Sequence, residues 1–233
     1  LLAEYLGSLL LAAIVIGAGI AAQTLSPGAT GLELFEDAIA TGFGLYVLIL
    51  MFGAVSGAHF NPVISLVDAM FGGISWRDAY SYCLVQVAGC FSGAVLANLM
   101  FSRTAISISE HHRATLAHGL SEVVATAGLV MIIFVLARTG RSTLAPGAVG
   151  AYIACAYFFT SSTSFANPAI VVGRMFSNTF AGITPTSAPW FVVAELIGGV
   201  VGFALVKALY SDVTSREASK VTVEHALGSE SPS

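Results

Sequence analysis

Two Asn-Pro dipeptides, each set between long apolar segments, constrain this chain most. Asn61-Pro62-Val63 lies within Ser-Gly-Ala-His-Phe-Asn-Pro-Val, and Asn167-Pro168-Ala169 within Ser-Phe-Ala-Asn-Pro-Ala. Asn is a strong helix N-cap, and Pro is favoured at the first helical position. Each dipeptide therefore marks a loop that ends and a helix that begins. With apolar sequence on both sides, these helix starts fall at membrane depth. Broken helices are tolerated there where the backbone is buried in protein or lines a wet cavity. Two of them in one chain point to a pore or a binding site.

Composition places the chain in lipid. Of its 233 residues 56% are hydrophobic and only 9% charged, with a mean hydropathy of +0.86. A soluble domain averages about 25% charged. The nine Lys and Arg residues are scattered, which argues against nucleic-acid binding. Cys83, Cys90 and Cys155 lie in apolar segments with no CxxC or Cys/His spacing, so buried free thiols are expected rather than a disulfide framework or a zinc site. No metal and no cofactor is expected. The numbering opens at Leu1 without Met, so the native N-terminus is expected to lie upstream; residues 1–22 are long enough to span and read as a span, not a cleavable leader.

Six segments approach the ~20 apolar residues that a span requires: 1–22, 34–55, 79–101, 116–137, 144–160 and 188–209. Two shorter stretches, 62–71 and 168–178, follow the Asn-Pro starts and read as half-helices. From Ser211 onward the chain turns polar and irregular, and residues 211–233 are expected to form a disordered tail.

The segments repeat. Glu4 and Glu122 stand early in the first and fourth spans, each with a hydroxyl four residues on, Ser8 and Thr126. An Asn-Pro site follows the second and the fifth. The third span carries Gln86-x-x-Gly89-x-x-x-Gly93 and the sixth Glu195-x-x-Gly198-x-x-x-Gly202. Each half, about 1–102 and 115–210, is thus three spans and a half-helix. Three is odd, so the second half enters the membrane inverted, with sites expected near the midplane at the repeat interface. The small-xxx-small pairs allow close helix packing. With both termini cytoplasmic, Arg77, Arg138, Arg141, Lys207, Arg216 and Lys220 lie inside and Arg103 and Arg113 outside, which is the arrangement the positive-inside rule favours.

These residues resemble the aquaporin, or major intrinsic protein, family across roughly residues 1–210. The resemblance implies an all-α membrane protein of six tilted helices around a pore, with two half-helices meeting at the midplane. It also implies a homotetramer with one pore per subunit, passing water and small neutral solutes across a bilayer. Glu4 and Glu122 would anchor the two re-entrant loops. An intramembrane proton relay is the sharper alternative for these two carboxylates, which are expensive at membrane depth unless paired. The first motif departs from the family by ending in Val63, which faces either packing neighbours or the pore wall.

The expected mechanism is electrostatic. Two helix N-termini, each carrying roughly +0.5 of an elementary charge, make a positive midplane that disfavours cations. The amides of Asn61 and Asn167 donate to a passing oxygen, and a water held by two donors leaves the proton wire. Carbonyls of the preceding loops line the other side, so binding is weak and repeated. The plainer alternative for each Asn is N-capping without solute contact. His59 either lines the inner pore or fixes its loop.

The outer constriction departs further. The family usually has Arg after the second Asn-Pro-Ala; here it is Ile170. An ungapped count from the motifs puts Thr41, Cys155 and Ser164 at the other three positions. Such a ring is wide and carries no fixed charge. Arg174 follows one turn later, about 6 Å along the same face. It either supplies the missing guanidinium or snorkels to headgroups and loop carbonyls. This stretch is similar to bacterial aquaporins associated with arsenic resistance, which implies polyols such as glycerol, or neutral metalloid hydroxides such as arsenous acid, as solutes and a bacterial inner membrane as location. A strictly water-selective pore is the alternative. A secondary transporter is the rival from another class, which flux insensitive to protonophores would exclude. A closed junction protein would show no permeability. An enzyme is least compatible, since no nucleophile–base pair or metal cluster is visible.

Overall fold

The computed structural model describes residues 1–210, so the expectation of a disordered tail over 211–233 lies outside the described residues. Among the described residues six helices are long and apolar enough to cross a membrane: α1 (Leu2–Leu25), α2 (Thr30–Ser56), α4 (Trp76–Met100), α5 (Leu116–Arg138), α6 (Ala145–Phe159, extended by a short 3-10 turn over Ser142–Leu144) and α8 (Ala188–Leu209). Between them lie the half-helices α3 (Pro62–Phe71) and α7 (Pro168–Arg174). The first ends where the sequence predicts. The second stops at Arg174 instead of Asn178, because the chain after Met175 turns to bond other partners. Phe176 accepts from Ser107, and the Ser177 hydroxyl donates to Asn98 at 2.7 Å.

The two halves are built alike. α1 packs on α4 and α5 packs on α8. A Cβ on Gly89 would strike the Tyr5 carbonyl, and one on Gly93 the Leu9 carbonyl. In the second half a Cβ on Gly198 would lie 2.6 Å from the Val123 carbonyl, and one on Gly202 2.7 Å from Val130. Both glycine pairs thus let one backbone touch the next, as small-xxx-small contacts do in membranes. The contacts fall next to Glu4 and Glu122, so the same packing step that joins the helices also seats the two buried carboxylates.

The outward faces of the long helices are apolar. Phe43, Leu84, Leu116 and Val200 are among many large side chains that stay exposed, which suits lipid rather than water. At one end of the molecule α3, α5 and α8 finish together. Arg138 stacks on the Phe71 ring at 4.5 Å and donates to the Tyr210 carbonyl at 2.6 Å. At the other end Arg113 donates to the carbonyls of Gly182 and Phe180. These are called the α3 end and the α7 end below.

Candidate functional site

The two half-helices begin face to face. Asn61 caps α3, its Oδ1 accepting from Val63 N at 2.9 Å. Asn167 caps α7 in the same way, accepting from Ala169 N at 3.0 Å and Ile170 N at 3.3 Å. With Oδ1 committed, each amide nitrogen reaches across. Asn61 Nδ2 donates to the Ala166 carbonyl at 2.7 Å, and Asn167 Nδ2 donates to the Phe60 carbonyl at 2.8 Å. An amide has two N–H groups, so each Asn keeps one for a passing oxygen. Capping and solute contact are therefore not alternatives at these residues.

The loops that lead into the caps have an unusual backbone. Ala58 and Phe60 in the first, Ser164 and Ala166 in the second, all have φ between 47° and 50°. The left-handed conformation costs a non-glycine residue about 1–2 kcal/mol. Alternating it with extended residues turns the N–H groups to one side and leaves the carbonyls on the other. The N–H side is held by carboxylate. Glu4 accepts from His59 N at 3.0 Å, Phe60 N at 2.7 Å, the Ser56 hydroxyl and Gln86 Nε2. Glu122 accepts from Phe165 N at 3.0 Å and Ala166 N at 2.7 Å. Both carboxylates are fully buried. Charge-assisted bonds to several donors offset that burial. Glu195 adds a bond that the first half lacks, accepting from Asn167 N at 2.9 Å.

The other face of these loops borders a narrow passage. Its remaining wall is apolar and contributed symmetrically: Leu11 with Leu129, Val15 with Ile133, Leu45 with Val149, and Ile49 with Ile153. The passage holds about 60 Å³ open to the centre of a water molecule, where ~10–15 Å³ suffices for one. It fits a file of a few waters bonded along one polar strip. His59 lines the passage and is also tied down, with Nδ1 3.0 Å from the Ser65 hydroxyl and Nε2 3.6 Å from the Asp68 carboxylate. Val63 does not face the passage. It is buried against α8, where Gly199 leaves room for its methyls.

Toward the α7 end Thr41, Ser164 and Ile170 line the passage as the count from the motifs predicts. Cys155 does not. It is exposed on the outside of α6, and Tyr157 lines the passage in its place, with its hydroxyl 3.2 Å from that of Thr41. The ungapped count crosses the turn after Phe159, where helix periodicity no longer sets the register. An error of two residues rotates a helix by about 200° and moves a side chain from the lumen to lipid. The expectation of a buried thiol fails at Cys155 for the same reason. The ring is also tighter than Thr, Cys, Ser and Ile would make it, since a phenol replaces a thiol.

Arg174 faces the passage and also binds a loop carbonyl, and it does not snorkel to headgroups. It lines the passage and is 98% buried, its Nε donates to the Ala181 carbonyl, and its guanidinium lies over the Phe165 ring at 3.5 Å. The ring is therefore not without charge, because a guanidinium stands one turn beyond Ile170. Arg113 approaches the same ring at 5.4 Å from the loop before α5. Burial, reinforced by Arg174, brings Arg113 down to about 10, so it stays charged at neutral pH.

The comparisons with known proteins agree with this geometry. Residues 1–165 match the model of the family described as Major intrinsic protein. The chain belongs to the major intrinsic protein family. It is 47% identical over 207 residues to the aquaglyceroporin AqpS of Rhizobium meliloti (strain 1021), covering 89% of this chain and 88% of that protein. It is 32% identical over 239 residues to a glycerol uptake facilitator protein of Pseudomonas aeruginosa, covering 86% and 85% respectively. The aquaglyceroporin of Plasmodium falciparum has the same fold, with a TM-score of 0.67 over 88% of this chain and 93% of that one at 19% identity. As a family member the chain is a channel and not an enzyme.

One feature of this major intrinsic protein has no clear sequence signal, and a second has one that the Asn-Pro motifs overshadow. The left-handed loop residues are not glycines, so nothing in their identity announces them. The buried carboxylates Asp37 and Asp68 sit within apolar helices; an ionisable residue at membrane depth is itself a functional signal, and that rule marks both.

Proposed function

We propose that this chain is a passive channel for water and small uncharged solutes, with glycerol-like polyols and neutral metalloid hydroxides such as arsenous acid as its larger cargo. The observation that carries the reading is the pairing of one polar strip with an apolar wall in a passage that runs past two half-free amides. A solute with hydroxyls on one side and little need for bonds on the other loses little on entering. The aquaglyceroporin and glycerol-facilitator names of the relatives support the polyol class. Thr41, Tyr157, Ser164 and Ile170 form the selecting ring, with Arg174 at its mouth. The meeting of α3 and α7 N-termini and the two guanidiniums at the α7 end oppose cations. Amide donors at the midplane interrupt proton transfer.

The α3 end faces the cytoplasm of a bacterial inner membrane in this reading, with both termini inside. Arg77, Arg138, Arg141 and Lys207 lie close to helix ends on that side, as the positive-inside rule favours. Four copies assemble with one passage each, burying part of the exposed apolar surface. Reconstitution into vesicles with stopped-flow recording tests the function. Water, glycerol and arsenous acid should each cross faster than in protein-free vesicles, without response to protonophores and without cation current. Uptake abolished by a protonophore would replace the channel with a transporter. A second reading has Tyr157 in its favour: a phenol in place of a thiol tightens the ring in the direction of a strictly water-selective pore. Fast water with glycerol at the bilayer background would establish it.

A further inference from the structure

Glu4 and Glu122 hold matching loops, but the side chains beside them differ in a way that fixes a proton. Glu4 accepts from two backbone N–H groups, from the Ser56 hydroxyl and from Gln86 Nε2. Glu122 accepts from Phe165 N and Ala166 N and, among the described residues, from no side-chain N–H or alcohol group. The repeat places Glu195 where Gln86 stands, each three residues before the first glycine of a small-xxx-small pair, Gly198 or Gly89. Gln86 brings a donor, whereas Glu195 brings a second carboxyl. Its Oε1 accepts from Asn167 N at 2.9 Å, and its Oε2 is buried with no N–H or alcohol donor among the described residues. The same carboxyl lies within hydrogen-bond reach of Glu122. Two ionised carboxylates can only accept, so a bond between them requires a proton on one. Two fully buried like charges in contact are otherwise costly. The other ionisable groups within electrostatic reach are Arg174 of α7, Arg113 of the loop before α5 and Tyr152 of α6. The two guanidiniums are bonded to the carbonyls of Ala181, Gly182 and Phe180, and the phenol to that of Ala125.

We propose that Glu195 is a neutral carboxylic acid that donates to Glu122, and that it is the positioning residue of the second pore asparagine. One oxygen fixes the Asn167 N–H, and the O–H takes the part that Gln86 Nε2 plays in the first half. The two carboxyls together then hold three consecutive backbone N–H groups, those of Phe165, Ala166 and Asn167. The arrangement also leaves one negative charge, not two, behind the second loop. An ionised pair would set an extra negative charge directly behind Asn167, against the positive field of the α7 N-terminus that opposes cations. This inference does not depend on which neutral solute the passage carries.

The test uses the full chain in vesicles. Glu195→Gln keeps an acceptor for Asn167 N and puts an N–H where the acid O–H stands. It should match the wild type in unfolding temperature, water flux and ion tightness. The infrared difference between wild type and this variant should show the carbonyl band of a protonated carboxylic acid, lost in the variant. Glu195→Leu keeps the bulk and removes both bonds, leaving the buried Asn167 N–H without its acceptor. It should lower the unfolding temperature by several degrees and cut water flux several-fold. A difference spectrum without the acid band overturns the proposal, because Glu195 is then ionised. So does a Glu195→Gln variant that fails to fold, unfolds earlier or leaks cations, since the amide would not be standing in for a neutral acid. A Glu195→Leu variant as stable and as conductive as the wild type overturns the positioning role. If the leucine variant does not fold, the glutamine variant and its infrared difference decide alone.

Discussion

Asn61 donates its side-chain amide to the carbonyl of Ala166, 2.7 Å away in the opposite half of the molecule. Asn167 returns the same bond to Phe60. Each half-helix cap therefore holds the loop that leads into the other, and the two inverted halves are fastened at the point where the solute passes. Asn61→Asp separates the two duties of the residue. The carboxylate can still cap α3, but it cannot donate to Ala166 and would face that carbonyl with like charge. We expect a loss of about 2 kcal/mol, the scale of a broken buried bond, seen as a lower unfolding temperature in detergent. Vesicles should also begin to leak cations. A variant as stable and as ion-tight as the wild type would show that the cross-pore bond contributes nothing.

The register of α6 makes a second prediction. Tyr157 rather than Cys155 narrows the ring with Thr41. Cys155→Ser should leave water flux, and any response to mercurials, as in the wild type. Tyr157→Ala should raise glycerol flux relative to water by removing a ring that fills the mouth. If Cys155→Ser abolishes mercurial inhibition of the wild type, the thiol faces the lumen and α6 is turned the other way.

What the sequence made legible follows from how local each signal is. Asn61 and Asn167 are readable because a cap and its proline are neighbours. Glu4 and Glu122 are readable because the repeat places them identically in two spans. Cys155 misleads because its assignment depends on counting through a turn, where no periodicity constrains the chain. Asp37 is an ionisable residue in an apolar helix, but its charged neighbours Arg174 and Arg113 come from distant segments, so the sequence gives no hint of what it faces. The left-handed residues Phe60 and Ala166 give their N–H groups to carboxylates on other helices, so their own side chains carry no trace of the conformation.

Val63 and Gly199 offer a third prediction about the departure from Ala in the first motif. A Cβ on Gly199 would lie 2.5 Å from Val63 Cγ1 but 3.8 Å from its Cβ. Gly199→Ala alone should therefore cost about 1–3 kcal/mol by overpacking. Adding Val63→Ala removes the clashing methyl and should restore most of that stability, which thermal unfolding of the single and double variants would measure. A double variant no more stable than Gly199→Ala would place the strain elsewhere.

The final prediction concerns Arg174, which both borders the lumen and clasps the loop at Ala181. Arg174→Lys keeps the charge but gives up the planar stack on Phe165 and the forked donor geometry. Arg174→Ala gives up everything. If charge at the mouth excludes ions, the alanine variant should leak cations in a vesicle potential assay and the lysine variant should not. If the loop contact dominates, both should lose stability alike. Ile170→Arg adds a guanidinium one turn closer to Asn167 and should cut glycerol flux more than water flux, because the added side chain takes space from the larger solute first. Wild-type fluxes and ion tightness in Arg174→Ala would show that the guanidinium only fills space, and that the apolar wall and paired helix starts exclude ions unaided.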